Sequence, residues 1–187
     1  MNNRSSMAQP PENRLPVYKI AITGPESTGK STLAKRLADH YKTIWVEEYA
    51  RNYLHQLGRP YEESDLLTIA IGQIENEKKN HEKASRFLFC DTELIVLKIW
   101  SEHKYQRIDE QILELHKQTH YHHYLLMNID LPWVFDPLRE HPDHRLYFFK
   151  WFIRELAQKN ASFSIISGAE DERLKNAIEA IDRLFPN

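Results

Sequence analysis

Apolar and polar positions alternate along the chain on two distinct periods, and the changeover between them marks out the elements. Residues 17–23 (VYKIAIT) turn almost wholly apolar after Lys19, as a short strand buried on both faces of a parallel sheet would. Residues 30–41 then carry Leu33, Leu37 and Ala38 on one helical stripe, so a strand, a glycine-bearing loop and a helix follow in order. The short runs at residues 43–46, 86–91 (RFLFCD), 124–128 (YLLMN) and 162–167 (SFSIIS) predict four more strands. Helical spacing returns in residues 64–83 with Leu66, Leu67, Ala70, Ile71 and Ile74. It recurs at Leu146, Phe149, Phe152, Ile153 and Leu156, and again at Leu174, Ala177, Ile178 and Ile181. Ser167 with Glu170 has the form of a capping box opening the last helix. This alternation predicts an α/β fold of three layers, a five-stranded parallel sheet with helices on both faces.

Composition narrows the class. A chain of 187 residues with 41% apolar content supports one domain with a sizeable core. Residues 1–14, rich in Asn, Ser, Gln and Pro, read as a flexible leader before a domain at 15–187. A formal charge of −2 carries none of the basic surplus that nucleic acid or an anionic membrane selects. With no window of about 18 apolar residues and no secretory leader, a cytoplasmic protein with a small-molecule partner is expected. The single cysteine, Cys90, fits a reducing compartment and is expected to face the core, opposite Asp91 on its strand.

The first loop, Gly24-Pro25-Glu26-Ser27-Thr28-Gly29-Lys30-Ser31, matches the phosphate-binding pattern Gly-x-x-x-x-Gly-Lys-Ser. Its glycines let backbone approach phosphate closely, and successive N–H groups with a helix N-terminus behind them form a fixed positive cradle. Gly24, Glu26, Ser27, Thr28, Gly29, Lys30, Ser31 and Thr32 are therefore the expected nucleotide-binding positions. Lys30 would bridge the β- and γ-phosphates of ATP, and the Ser31 hydroxyl would ligate Mg²⁺. The pattern sits between a convincing strand and a convincing helix, as its mechanism requires, and places the chain among P-loop NTPase folds.

Other residues must supply the rest of such a site. Asp91, closing RFLFCD, suits a carboxylate facing Mg²⁺ beside the loop, with helix capping from Thr92 as the competing reading. In open α/β sheets ligands lie beyond the carboxyl ends of the strands, which points to Glu47, Glu48, Tyr49 and Arg51 after the second strand. Glu48 or Asp91 could take the proton of an acceptor hydroxyl; first-turn helix charge is the plainer reading of Glu47 and Glu48. Between residues 130 and 145, Pro132, Pro137 and Pro142 forbid a regular helix and shape a loop of lid character. Arg139 and Arg145 are candidates to neutralise the transferring phosphoryl group, against pairing with Asp136, Glu140 or Asp143. Trp133 could cover a flat ring or pack as core.

Taken together, ITGPESTGKSTL, EEYARNYL, the strand with DTE after it and PWVFDPLRE resemble the ribosylnicotinamide kinase domain of the NadR family, over residues 17–183. The resemblance implies a nucleoside-kinase-like fold and transfer of phosphate from Mg-ATP to the 5′-hydroxyl of nicotinamide riboside, a step of NAD salvage. It assigns phosphate to Gly29, Lys30 and Ser31, substrate contacts to Glu48, Tyr49, Arg51, Asp91 and Trp133, and the lid arginine to Arg139. An aromatic and acidic pocket would suit a cationic pyridinium. The His-x-Gly-His phosphate site of the adenylyltransferase domain that many such proteins carry is absent from these residues, so that second activity is not expected of them. Two further readings keep the loop and change its use: a kinase for another nucleotide or small metabolite, and a nucleotide-dependent switch without an acceptor.

Overall fold

The computed structural model describes residues 16–186; the expected leader at 1–14 lies outside them. Twelve elements follow one another: β1 (Tyr18–Thr23), α1 (Lys30–Tyr41), β2 (Ile44–Val46), α2 (Tyr49–Leu57), α3 (Glu63–His81), β3 (Phe87–Asp91), α4 (Leu94–Tyr105), α5 (Glu110–Gln118), β4 (His123–Met127), α6 (Arg145–Gln158), β5 (Phe163–Ile166) and α7 (Glu170–Leu184). The five strands form a single sheet in the order β2-β3-β1-β4-β5. Every pairing is parallel.

Period-two alternation on the sheet sorts its side chains between two cores. Ile20 and Ile22, with Phe87, Phe89, Leu125 and Met127, pack under α1 and α7. Ala21, Tyr124 and Leu126 face α4 and α6, and Leu88 and Cys90 lie with Val17, Val46 and Ala84. Cys90 is thus a buried core thiol. Helix α1 buries Leu33, Ala34, Leu37 and Ala38, and a fully buried leucine such as Leu37 stabilises the fold by about 1.5–3 kcal/mol relative to exposure. Helices α2 to α5 share a further core around Leu66, Ile69, Leu94 and Ile112.

Register explains how a site arises. Ile22 of β1 is paired with Asp91 of β3, so the loop leaving β1 and the last residue of β3 emerge side by side. Strand β1 has β3 on one side and β4 on the other, and connections leave in opposite directions from this switch point, opening a crevice beyond the carboxyl ends.

Strand positions agree with the sequence to within one residue at every end. The capping box does not form. Ala169 is the N-cap of α7 without a side-chain cap bond, and the Ser167 hydroxyl instead accepts from Asn128 Nδ2 at 3.0 Å. Gly168 turns the chain at φ 97° and the helix begins at Glu170 itself, so the extended cap position falls on Ala169, and Ser167 and Glu170 do not stand at the cap and third helical positions the motif needs.

His123 links the sheet's last two strands. Its imidazole is 2% exposed and lies 2.8 Å from Ser162 Oγ and 3.0 Å from Ser164 Oγ. Burial lowers its pKa from 6.5 to about 4. The unfolded chain therefore binds a proton that the fold refuses between those values, and stability is lost as pH falls from about 6.5 toward 4. A His123→Gln variant should narrow its stability gap to the parent steadily as pH falls through that range. A gap in melting temperature that is constant from pH 7 to pH 4 would contradict this.

Candidate active site

The loop after β1 has the backbone of a phosphate cradle. Gly24 has φ 131°, and a Cβ there would sit 3.1 Å from the Met127 carbonyl oxygen, so a side chain would be both strained and crowded. Gly29, at φ 80°, is the N-cap of α1. The Thr28 hydroxyl donates to the Pro25 carbonyl at 2.8 Å, fixing the turn. Lys30 Nζ donates to the carbonyls of Gly24 at 3.0 Å and Pro25 at 2.8 Å. Burial lowers its pKa, opposed by the charges of Glu48 and Asp91, while Arg139 lowers it further.

Asp91 stands beside this cradle. It is 1% exposed, and its Oδ1 has no hydrogen-bond partner among the described residues. Its pKa is pushed up to about 6, chiefly by burial and then by the charge of Glu48, with the Ser31 hydroxyl, Lys30 and Arg51 opposing. A desolvated carboxylate with an orphaned oxygen beside a hydroxyl offers hard donors of the kind Mg²⁺ prefers. Asp91 does not cap a helix from Thr92: α4 starts at Leu94 with Glu93 as its N-cap. Glu93 is itself buried, accepting from Thr23 Oγ1 at 2.9 Å and from the Ile95 amide at 2.7 Å, and burial raises its pKa to about 7. It ties the end of β1 to the start of α4.

From the other side, Glu48 is the N-cap residue of α2 and lines the cavity beside the phosphate loop. Arg51 Nε lies 3.8 Å from its carboxylate, and Arg51 Nη1 lies 2.9 Å from Asp136. That pair joins α2 to the proline-rich segment at 130–144, which contains no helix or strand. The segment rests on the phosphate loop. Arg139 Nη1 donates to Ser27 Oγ at 3.3 Å and to the Val134 carbonyl; Arg145 Nη1 donates to the carbonyls of Leu131 at 2.9 Å and Ser27 at 3.4 Å. Neither arginine is bridged to Glu140 or Asp143 among the described ion pairs.

The cavity bounded by these groups has a volume of about 370 Å³. Its lining combines Lys30, Ser31, Thr32, Glu48, Arg51 and Arg139 with the apolar and aromatic residues Val96, Ile99, Trp100, Leu138, Phe148 and Phe152. Past Trp100, Leu138 and Phe148 a second chamber of about 370 Å³ opens toward Tyr61, His103, Lys104 and Glu140. Four expected contacts lie off the lining of both chambers, the buried Asp91 being one. Glu47 is exposed, with Asn52 Nδ2 at 3.5 Å. Tyr49 packs on α3, where a Cβ on Gly72 would fall 2.3 Å from its ring, which is why that helix holds a glycine. Trp133 donates from Nε1 to Glu26 Oε1 at 2.9 Å, an anchor of the segment to the loop.

Two contributors went unread in the sequence. The wall residues of α4 and α6 carry the same apolar stripe as core residues, which gives no separate signal. Arg173 of α7, 4% exposed, donates to the carbonyls of Thr28 at 2.7 Å and Gly168 at 2.6 Å and pairs with Asp130. Asp130 Oδ2 also accepts from the Gly168 amide at 2.7 Å. The phosphate loop is thus braced from behind.

A family model described as AAA domain matches residues 19–173. The trifunctional NAD biosynthesis/regulator protein NadR of Salmonella typhimurium is 27% identical over 177 residues, covering 90% of this chain and 43% of that protein. The chain thus spans less than half the length of this curated relative. A solved structure of NadR protein in complex with NR superposes with a TM-score of 0.75 at 19% identity, over 91% of this chain and 51% of the other. Thymidylate kinase from Ehrlichia chaffeensis superposes at 0.62 with 18% identity, over 90% of this chain and 98% of the other. These likenesses show a P-loop fold with a five-stranded parallel sheet. No described helix is long and apolar enough to cross a membrane.

Proposed function

We propose, since this chain belongs to the AAA domain family, that it is a nucleoside kinase of NAD metabolism, transferring the γ-phosphoryl group of ATP to the 5′-hydroxyl of nicotinamide riboside. The observation that carries the reading is the single cavity joining Lys30, Ser31 and Glu48 to an apolar and aromatic wall at Trp100 and Phe148. A phosphate donor and a flat-ringed acceptor both find their chemistry there. Similarity to a NadR structure holding NR supports the choice of acceptor.

In this mechanism the backbone of the loop from Gly24 to Ser31 holds the nucleotide phosphates, and the N-terminus of α1 favours their charge. Glu48, on the cavity wall, accepts the proton of the acceptor hydroxyl as its oxygen attacks the γ-phosphorus. The bond to the bridging oxygen breaks and ADP leaves. Lys30 and Arg139 neutralise the negative charge of the transferring group, and Arg145 holds Ser27 from the lid side. Ser31 and Asp91 would hold Mg²⁺, which supplies charge neutralisation at the phosphate oxygens. Trp100 and Phe148 offer faces to a cationic pyridinium.

A panel of nicotinamide riboside, purine and pyrimidine nucleosides, and nucleoside monophosphates, each with Mg-ATP, tests the reading. Nicotinamide riboside should gain one phosphate with stoichiometric ADP. Transfer to another member alone would move the acceptor assignment, and transfer to none would end the kinase reading.

A further inference from the structure

We infer that the Glu26 side chain is a positioning residue that latches the segment at 130–144 onto the phosphate loop and so sets Arg139 beside the reacting phosphates. The reaction it serves is the phosphoryl transfer proposed above; the latch itself stands on geometry alone.

Position 26 is one of the four unspecified places in Gly-x-x-x-x-Gly-Lys-Ser, and the cradle works through backbone N–H groups. Nothing in phosphate binding calls for a carboxylate there. An acidic side chain next to bound phosphates is repelled by them, so its charge needs to be taken up elsewhere. Glu26 gives it to the lid. Its Oε1 accepts from Trp133 Nε1 at 2.9 Å and from the His141 amide at 3.0 Å, and its Oε2 accepts from the Glu140 amide at 3.1 Å. Hydrogen bonds to an ionised acceptor are roughly twice as strong as neutral ones. The three donors flank Arg139, so holding them holds the arginine.

Neighbouring Ser27 continues the seam. Its Oγ accepts from the Val134 amide at 2.9 Å and from Arg139 Nη1 at 3.3 Å. Glu26 is also on the lining of both chambers of the cleft, so the latch stands where lid, phosphate loop and acceptor space meet. Among the described residues, no other loop side chain accepts from backbone N–H groups of both Glu140 and His141.

Hydrogen exchange on the full chain, without any acceptor, tests the latch directly. Glu26→Ala should speed exchange of the Glu140 and His141 amides by about tenfold or more while β1 and α1 keep their protection. Glu26→Gln retains Oε1 for Trp133 and His141 but presents an NH₂ to Glu140, so only the Glu140 amide should speed up. Should the alanine variant fail to fold, the glutamine variant carries the test. Unchanged exchange at both amides, or an equal rise throughout α1, overturns the latch. In turnover, Glu26→Ala should lower kcat by about 10- to 100-fold with the KM for ATP within about threefold. A raised KM for ATP with kcat unchanged would make Glu26 a nucleotide contact and overturn the positioning role. If no acceptor is phosphorylated by the parent chain, the kinase reading fails while the exchange result still decides the latch.

Discussion

Lys30→Ala is expected to lower kcat/KM for phosphoryl transfer by about 10³-fold, a loss of about 4 kcal/mol of transition-state stabilisation. The size follows from where the ammonium lies. It is held within hydrogen-bond distance of two loop carbonyls, and burial disfavours its charge while Glu48, Asp91 and Glu26 favour it. A cation placed this way among preorganised groups acts in a medium where charge is poorly screened, so its removal is costly to a reaction that moves negative charge past it. The fold should survive, because the apolar core under α1 does not use this side chain. Steady-state kinetics with saturating acceptor, read beside a thermal melt, checks both halves. A loss of less than tenfold would remove Lys30 from the catalytic set.

Arg173→Ala is expected to destabilise the protein by about 1–3 kcal/mol, the range for leaving a buried acceptor, here the Thr28 carbonyl, without its donor. Three groups lose their donor at once: the Thr28 carbonyl, the Gly168 carbonyl and the Asp130 carboxylate. Since Thr28 belongs to the phosphate loop, ATP affinity should fall along with stability. Arg173→Lys should recover part of the stability, because one ammonium cannot span three acceptors that a guanidinium fork reaches together. Urea unfolding with an unchanged m-value is the measurement. A shift below about 1 kcal/mol for the alanine variant would show that the brace does nothing.

What the sequence disclosed and what it hid divide along sequence separation. The phosphate loop was legible because its geometry closes locally: Lys30 reaches carbonyls only five and six residues back. The five strands were legible because short β-prone runs between helical stripes have few alternative readings. Arg173, by contrast, braces Thr28 from 145 residues away, and Glu26 takes its donors across 107 to 115 residues. No spacing rule carries such partners. Tyr49 had a motif position that suggested the pocket, yet the space beside Gly72 on α3 takes the ring. Trp100 and Phe148 looked like any helix stripe, since a binding wall and a core use the same residues until the fold decides which face meets empty space. The Ser167 capping box failed for a related reason: Asn128, a distant partner, claims the hydroxyl.

The chamber beyond Trp100 and Phe148 has a chemical use of its own. An acceptor that keeps its hydroxyl at Glu48 and grows from the far side of its ring would direct the added group toward Tyr61, His103 and Lys104. Space comparable to the first cavity leaves room for a short tether ending in an alkyne or a small dye. Such a tagged nucleoside would gain a phosphate monoester on turnover, and the added negative charge would hold the product apart from unreacted tag on an anion-exchange resin, turning the shape of the cleft into a route for labelling.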